Sequence, residues 1–172
     1  MSKTFVTSNL QLGRPAAIKK YKRSHNDVDH MTDDLILKWN ETVKQEDTVY
    51  HLGNFAHDPK TAQEAISRLN GTIKFIQGDL DSAITLLSEK GMLPPRCSML
   101  KCVELVEELN VALSYWPMGA WPNKTVKSWS IIGYPEKKYK SDPKKKIINV
   151  STDLWANKPQ ELEKLLGIFS DF

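Results

Sequence analysis

Asp47-Thr48-Val49-Tyr50-His51-Leu52-Gly53-Asn54-Phe55 is the stretch on which the fold turns. Its centre is β-branched, aromatic and apolar, and it runs into Gly-Asn, so it reads as a buried strand that ends in a loop. Just upstream, Asp29 to Lys44 places Met31, Leu35, Ile36, Trp39 and Val43 at helical spacing. That is an amphipathic helix. Earlier still, Thr4-Phe5-Val6-Thr7 is another strand, followed by Ser8-Asn9, Gly13 and a polar stretch. Downstream, Pro59 opens a helix through Leu69, and Asn70-Gly71 stops it. Thr72 to Gln77 is a third strand, closed by Gly78, and Asp81 or Ser82 caps a helix to Lys90. Strands that alternate with helices in this way are expected to lie parallel.

The second half changes character. Ser98–Leu105 and Val111–Tyr115 read as strands joined through Glu107-Glu108-Leu109-Asn110. Trp129–Ile132 and Ile147–Ser151 read as two more, with a lysine-rich hairpin between them, and Pro159 opens a last helix through Leu166. The expectation is an α/β fold of two sheets with helices outside. In such folds the working residues sit where strands end. Those loops are 8–11, 53–55, 78–81, 114–117 and 133–136.

A length of 172 residues fits one domain over 1–172, and 40% hydrophobic with 26% charged residues is a globular composition. No stretch approaches the roughly 18 apolar residues of a membrane helix, so no membrane partner is expected. The N-terminal Met1-Ser2-Lys3-Thr4-Phe5-Val6 lacks the apolar core of a signal peptide, which points to the cytoplasm. Cys97 and Cys102 make no disulfide framework, and an isolated C-x4-C pair is a poor zinc signal.

The net charge of +3 conceals two basic runs. Arg14, Lys19, Lys20, Lys22 and Arg23 form one; Lys137, Lys138, Lys140, Lys144, Lys145 and Lys146 form the other, with only Asp142 against them. Together they carry +10, which leaves −7 for the rest of the chain. If they share one side, they make a rim that attracts phosphates or acidic partners. Separately, they are two solvated loops.

The order and spacing of the five loops resemble the calcineurin-like metallophosphoesterase superfamily, above all its small bacterial and phage phosphoesterases. The matching framework is Trp39-Asn40, then Asp47 to Phe55, Leu69-Asn70-Gly71, Val150-Ser151-Thr152-Asp153-Leu154 and Lys158-Pro159. The resemblance covers nearly the whole chain. It implies a four-layer α/β/β/α sandwich of two mixed sheets.

At the motif positions the chain departs. Where the family carries D-x-H, this chain has Asn9 and Gln11; where it carries the bridging aspartate, Asn54. The metal-binding asparagine falls at Asp79 and the catalytic histidine at Leu80. Later metal histidines fall at Tyr115, Tyr134 and Glu136. Asp81 alone keeps the family's residue, one that is mainly structural there.

Two divalent cations need anionic oxygens and neutral imidazoles in fixed geometry. An asparagine NH2 cannot ligate, tyrosine resists deprotonation, and Leu80 cannot donate a proton. Amides and phenols can instead hydrogen-bond one another and fill the space. The expectation is a catalytically inactive remnant with no cofactor, which works by binding a protein partner, nucleic acid or another phosphate-rich ligand. A phage or mobile-element protein that engages a host factor fits that description. The rival is a phosphodiesterase or phosphatase with one weakly bound divalent metal, held through Asp79, Glu136 and His51 or His57. A structural subunit of a larger assembly is a third reading.

His51 reads as packing or support rather than catalysis, and His25 and His30 as a polar helix entry. Trp116, Trp121 and Trp129 fit core packing as well as a binding surface.

Overall fold

In the computed structural model, residues 1–126, 128–135 and 139–170 are described. Glu136, Lys137 and Lys138 lie outside the described residues. The elements run β1 (Thr4–Thr7), α1 (Pro15–Tyr21), α2 (Val28–Thr42), β2 (Thr48–Leu52), α3 (Pro59–Arg68), β3 (Thr72–Ile76), α4 (Ser82–Glu89), β4 (Cys97–Met99) and β5 (Val103–Val106). They continue with β6 (Val111–Ser114), β7 (Trp129–Ile132), β8 (Ile147–Asn149), β9 (Gln160–Glu161) and α5 (Leu162–Ser170).

Two mixed sheets result. One has the order β4-β3-β2-β1-β9, parallel except for β9; the other is β5-β6-β7-β8, parallel except for β5. Alternation along β2 divides the chain between two cores. Val49 faces the core built with α1 to α4, while Tyr50 and Leu52 face the core between the sheets. Leu162 and Leu165 of α5 join that second core.

Local chemistry accounts for the helix ends. Asp27 and Asp58 accept from the backbone N–H groups of His30 and Thr61, at 2.8 and 2.9 Å. Trp39-Asn40 is a staple. The Trp39 indole donates to Asn70 O at 3.0 Å. Asn40 donates to Arg68 O at 2.8 Å and accepts from Asn70 N–H at 2.9 Å. The end of α2 is thereby tied to the turn after α3.

Several expectations change. The polar stretch after Gly13 contains α1, which Pro15 opens. Ser98–Leu105 is not one strand: β4 pairs with β3 in the first sheet and β5 with β6 in the second. The chain crosses between sheets at Leu100, which packs into the inter-sheet core, so the apolar pattern runs on through the break. The lysine-rich segment is not a hairpin, because β7 and β8 are parallel. Parallel neighbours require a crossover of a dozen or so residues. The crossovers after β6 and β7 must pass outside the inter-sheet core. Among their described residues they carry short 3-10 turns, Lys124–Val126 and Pro143–Lys145. The last helix begins at Leu162 rather than Pro159, because Gln160 and Glu161 pair with β1 first.

His51 is fully buried, with its ring 5.1 Å from that of Phe55 and 6.0 Å from that of Phe75. Neither ring nitrogen has a hydrogen-bond partner among the described residues. Burial drives its pKa down to about 3. The folded chain therefore refuses a proton that the unfolded chain takes up below about pH 6.5. Stability is expected to fall as pH drops from 6.5 towards 3, by up to about 1.4 kcal/mol per pH unit from this group. Urea unfolding at pH 7, 5.5 and 4.5 should show that slope reduced in His51→Leu. Equal slopes in both proteins would place the acid sensitivity elsewhere.

Candidate functional site

β1, β2 and β3 run parallel, so their C-terminal ends deliver Asn9, Asn54 and Asp79 to one edge. β6 and β7 deliver Tyr115 and Gly133 from the other sheet. The sheets touch where β7 ends. A Cβ on Gly133 would overlap the Leu52 carbonyl oxygen and stand 2.9 Å from Ser8 Cβ, so only glycine fits there.

At this junction the side chains close into a network. Asn9 donates to the Gly133 carbonyl and, at 3.0 Å, to Ser8 Oγ. Its Oδ1 accepts from Asn54 Nδ2 at 3.1 Å. Asn54 Nδ2 also faces Asp79 Oδ1 at 2.8 Å and the Tyr115 hydroxyl at 2.9 Å. Tyr115 in turn donates to Asp79 Oδ1 at 2.6 Å. The Leu80 N–H donates to Asn54 Oδ1 at 2.9 Å, which fixes which end of the amide is the donor. Asn9, Asn54 and Tyr115 are buried, and Asp79 opens to solvent. Asn9, Gln11 and Asn54 all hold positive φ, between 49° and 62°. Asparagine tolerates this backbone better than most residues.

Burial, followed by the Asp79 carboxylate, pushes the Tyr115 phenol above its ordinary range, so it stays a donor. Asp81 lies beneath the network. Its carboxylate accepts from the N–H groups of Asn54 and Gly78 at 2.6 Å and of Phe55 at 2.8 Å. Its side chain latches two loops rather than capping α4. Burial raises its pKa even against those three donors.

These residues do not fit a two-metal centre. A donor, Asn54 Nδ2, occupies the middle of the oxygen cluster, and cations need acceptors there. Among the described residues, no group of three His, Cys, Asp or Glu side chains could hold a metal ion. His51 faces the α-side core, away from this junction, and cannot complete a ligand set with Asp79.

The fold has known counterparts. The chain is 27% identical over 98% of its length to an uncharacterized protein of Methanocaldococcus jannaschii, MJ1445, and spans 92% of that protein. In structure it is similar to AQ665, a protein of unknown function from Aquifex aeolicus. The TM-score is 0.71 at 16% identity, over 98% of this chain and 100% of that one. No protein-family model matches the chain. The structural likeness speaks for a shared fold alone.

The other expected residues divide. Gln11 donates to the Tyr21 hydroxyl at 2.9 Å, outside the network. Leu80 takes part through its backbone only. Tyr134 stacks on Tyr115, Trp116 and Tyr139, at 5.2 to 5.5 Å between ring centroids. Arg23 is not part of a solvated rim. It is buried, binds both oxygens of Asp153 at 2.8 and 2.9 Å, and donates to the carbonyls of Asn9 and Leu10. It holds the first loop in place.

The remaining lysines make two surfaces rather than one. Lys20, Lys22 and Lys140 line a cavity of about 580 Å³ together with Tyr21, Pro135, Tyr139, Ser151, Asp153 and Leu154. Lys144, Lys145 and Lys146 border a separate hollow beside Lys124. Arg14 and Lys19 line neither. Sequence reasoning missed Tyr21, Tyr139 and Asp153 as site residues. The signal for Tyr21 was its place between Lys20 and Lys22.

Proposed function

We propose that this chain is a catalytically silent relative of the calcineurin-like metallophosphoesterases that works by binding a phosphate-rich ligand, such as nucleic acid, at the basic surface around Lys20, Lys22 and Lys140. The observation that carries this reading is Asn54, whose NH2 points into the oxygens of Asn9, Asp79 and Tyr115. The parallel strand ends supply the loops that such an enzyme needs, but with amides and phenols instead of ligands. Asp79, the carboxylate a single-metal enzyme would use, already accepts from both Asn54 and Tyr115. Two free thiols, Cys97 and Cys102, fit a reducing cytoplasmic compartment. No helix is long and apolar enough to cross a membrane among the described residues.

The test is to load the purified protein with Mn²⁺, remove excess metal by gel filtration, and assay bis(p-nitrophenyl) phosphate. The expected result is no stoichiometric metal and no turnover above buffer. One tightly held metal per chain, with turnover lost in Asp79→Ala, would establish the enzyme instead. Binding of a labelled single-stranded oligonucleotide should weaken steeply with salt, as counterion release requires. Capture of an acidic protein with no oligonucleotide binding would replace the ligand class.

A further inference from the structure

The cavity beside the remnant centre has a chemistry of its own. It shares no lining residue with the Asn9, Asn54, Asp79 and Tyr115 network. At about 580 Å³ it falls within the ordinary range for a small-molecule site. Lys20, Lys22 and Lys140 are exposed at its edge and make no ion pair among the described residues. Three ammonium groups around one hollow, none of them ion-paired among the described residues, favour a compact anion. Among the described residues that line it, the one carboxylate is Asp153, whose charge is cancelled by Arg23.

The walls are not those of a simple anion site. Tyr21 and Tyr139 bring two aromatic rings, and Leu154 lines the hollow although half exposed. Tyr21 is held from behind by Gln11, which donates to its hydroxyl. Rings of this kind accept a stacked base. Asp153 keeps lone pairs beyond those taken by Arg23, and a carboxylate only accepts, so its natural ligand partner is a sugar hydroxyl or an exocyclic amine.

We propose that this cavity is a nucleotide pocket: the lysines take the phosphate, the tyrosines and Leu154 take the base, and Asp153 takes a hydroxyl or amino group. The inference rests on the reading that this basic surface takes a phosphate-bearing ligand, and it narrows that ligand to one nucleotide unit bound without hydrolysis. The unit is either a free mononucleotide or the phosphorylated end of a single strand.

Calorimetric titration tests it with 5′-AMP, adenosine, inorganic phosphate, and a ten-nucleotide single strand with and without a 5′-phosphate. AMP should bind saturably, and at least about tenfold more tightly than adenosine or phosphate, since each supplies only half of the contacts. Preference for the phosphorylated strand over AMP identifies a chain end as the ligand. Preference for AMP identifies a free nucleotide. The Lys20→Gln/Lys140→Gln double variant should weaken binding about tenfold or more. Glutamine replacement of Lys144, Lys145 and Lys146 should leave it unchanged. Phosphate binding as tight as AMP, no saturable binding of any probe, or an unaffected double variant would overturn the proposal. Metal-dependent turnover would remove the silent-enzyme reading and leave this pocket standing. Absence of nucleotide binding without turnover would do the reverse.

Discussion

Asn54→Asp, which places a carboxylate where the resembled phosphoesterases carry one, is expected to destabilise the protein by roughly 3 to 5 kcal/mol. For a domain of this size that is a fall in Tm on the order of 10 °C. Asn54 is 2% exposed, and the two hydrogens of its NH2 are shared among Asn9 Oδ1, Asp79 Oδ1 and the Tyr115 hydroxyl. An aspartate loses the NH2 donations and places a second anion against Asp79. It also stands over the Asp81 carboxylate, which holds the Asn54 N–H. Aspartate tolerates the positive φ of this position nearly as well as asparagine does, so the cost is electrostatic rather than conformational. Two checks follow from that cause. Lowering the pH should return part of the stability as the new carboxyl takes up a proton. Mn²⁺ should not return it, because Gln11 is turned to Tyr21 outside the network, Leu80 offers only its N–H, and the Tyr115 phenol keeps its proton. Wild-type stability in Asn54→Asp, or a large rise in Tm on adding Mn²⁺, would mean that the pocket still accepts cations.

Asp81→Ala is the second large effect, about 4 kcal/mol. Three backbone N–H groups, those of Asn54, Phe55 and Gly78, lose a charged acceptor at once, and each buried donor left unpaired costs about 1 to 3 kcal/mol. Asp81→Asn keeps one acceptor oxygen and should cost about half as much. Hydrogen exchange at those three amides should accelerate beyond the global change, since the side chain joins the loop after β2 to the loop after β3. If Asp81→Ala unfolds at the wild-type denaturant midpoint, the latch is not a source of stability.

Much of this architecture is legible in the chain's local signals. The 47–55 stretch places β2 and its loop, and Pro59, Asn70-Gly71 and Gly78 bracket the elements that follow. Periodicity, caps and turns depend on neighbours in sequence. The positions of the candidate site, 9, 54, 79 and 115, are legible as well, because parallel strands put their loops at one edge. Less legible is where Asp81 points. A residue ahead of a helix reads as a cap, and only the approach of the β2 loop shows that its carboxylate is used elsewhere.

The order of residues was enough to dictate the alternation of strands and helices, the two basic runs, and the amides and phenols that stand in the strand-end loops. It took the folded chain to divide Ser98–Leu105 between two sheets and to set β7 and β8 parallel. Folding also buried Arg23 on Asp153 and drew Lys20, Lys22 and Lys140 around one cavity while Lys144 to Lys146 went to another. Range explains the difference. Propensity and hydrophobic period act over a few residues, whereas strand pairing, burial of a charge and the meeting of two loops depend on groups that can lie more than a hundred positions apart, as Arg23 and Asp153 do.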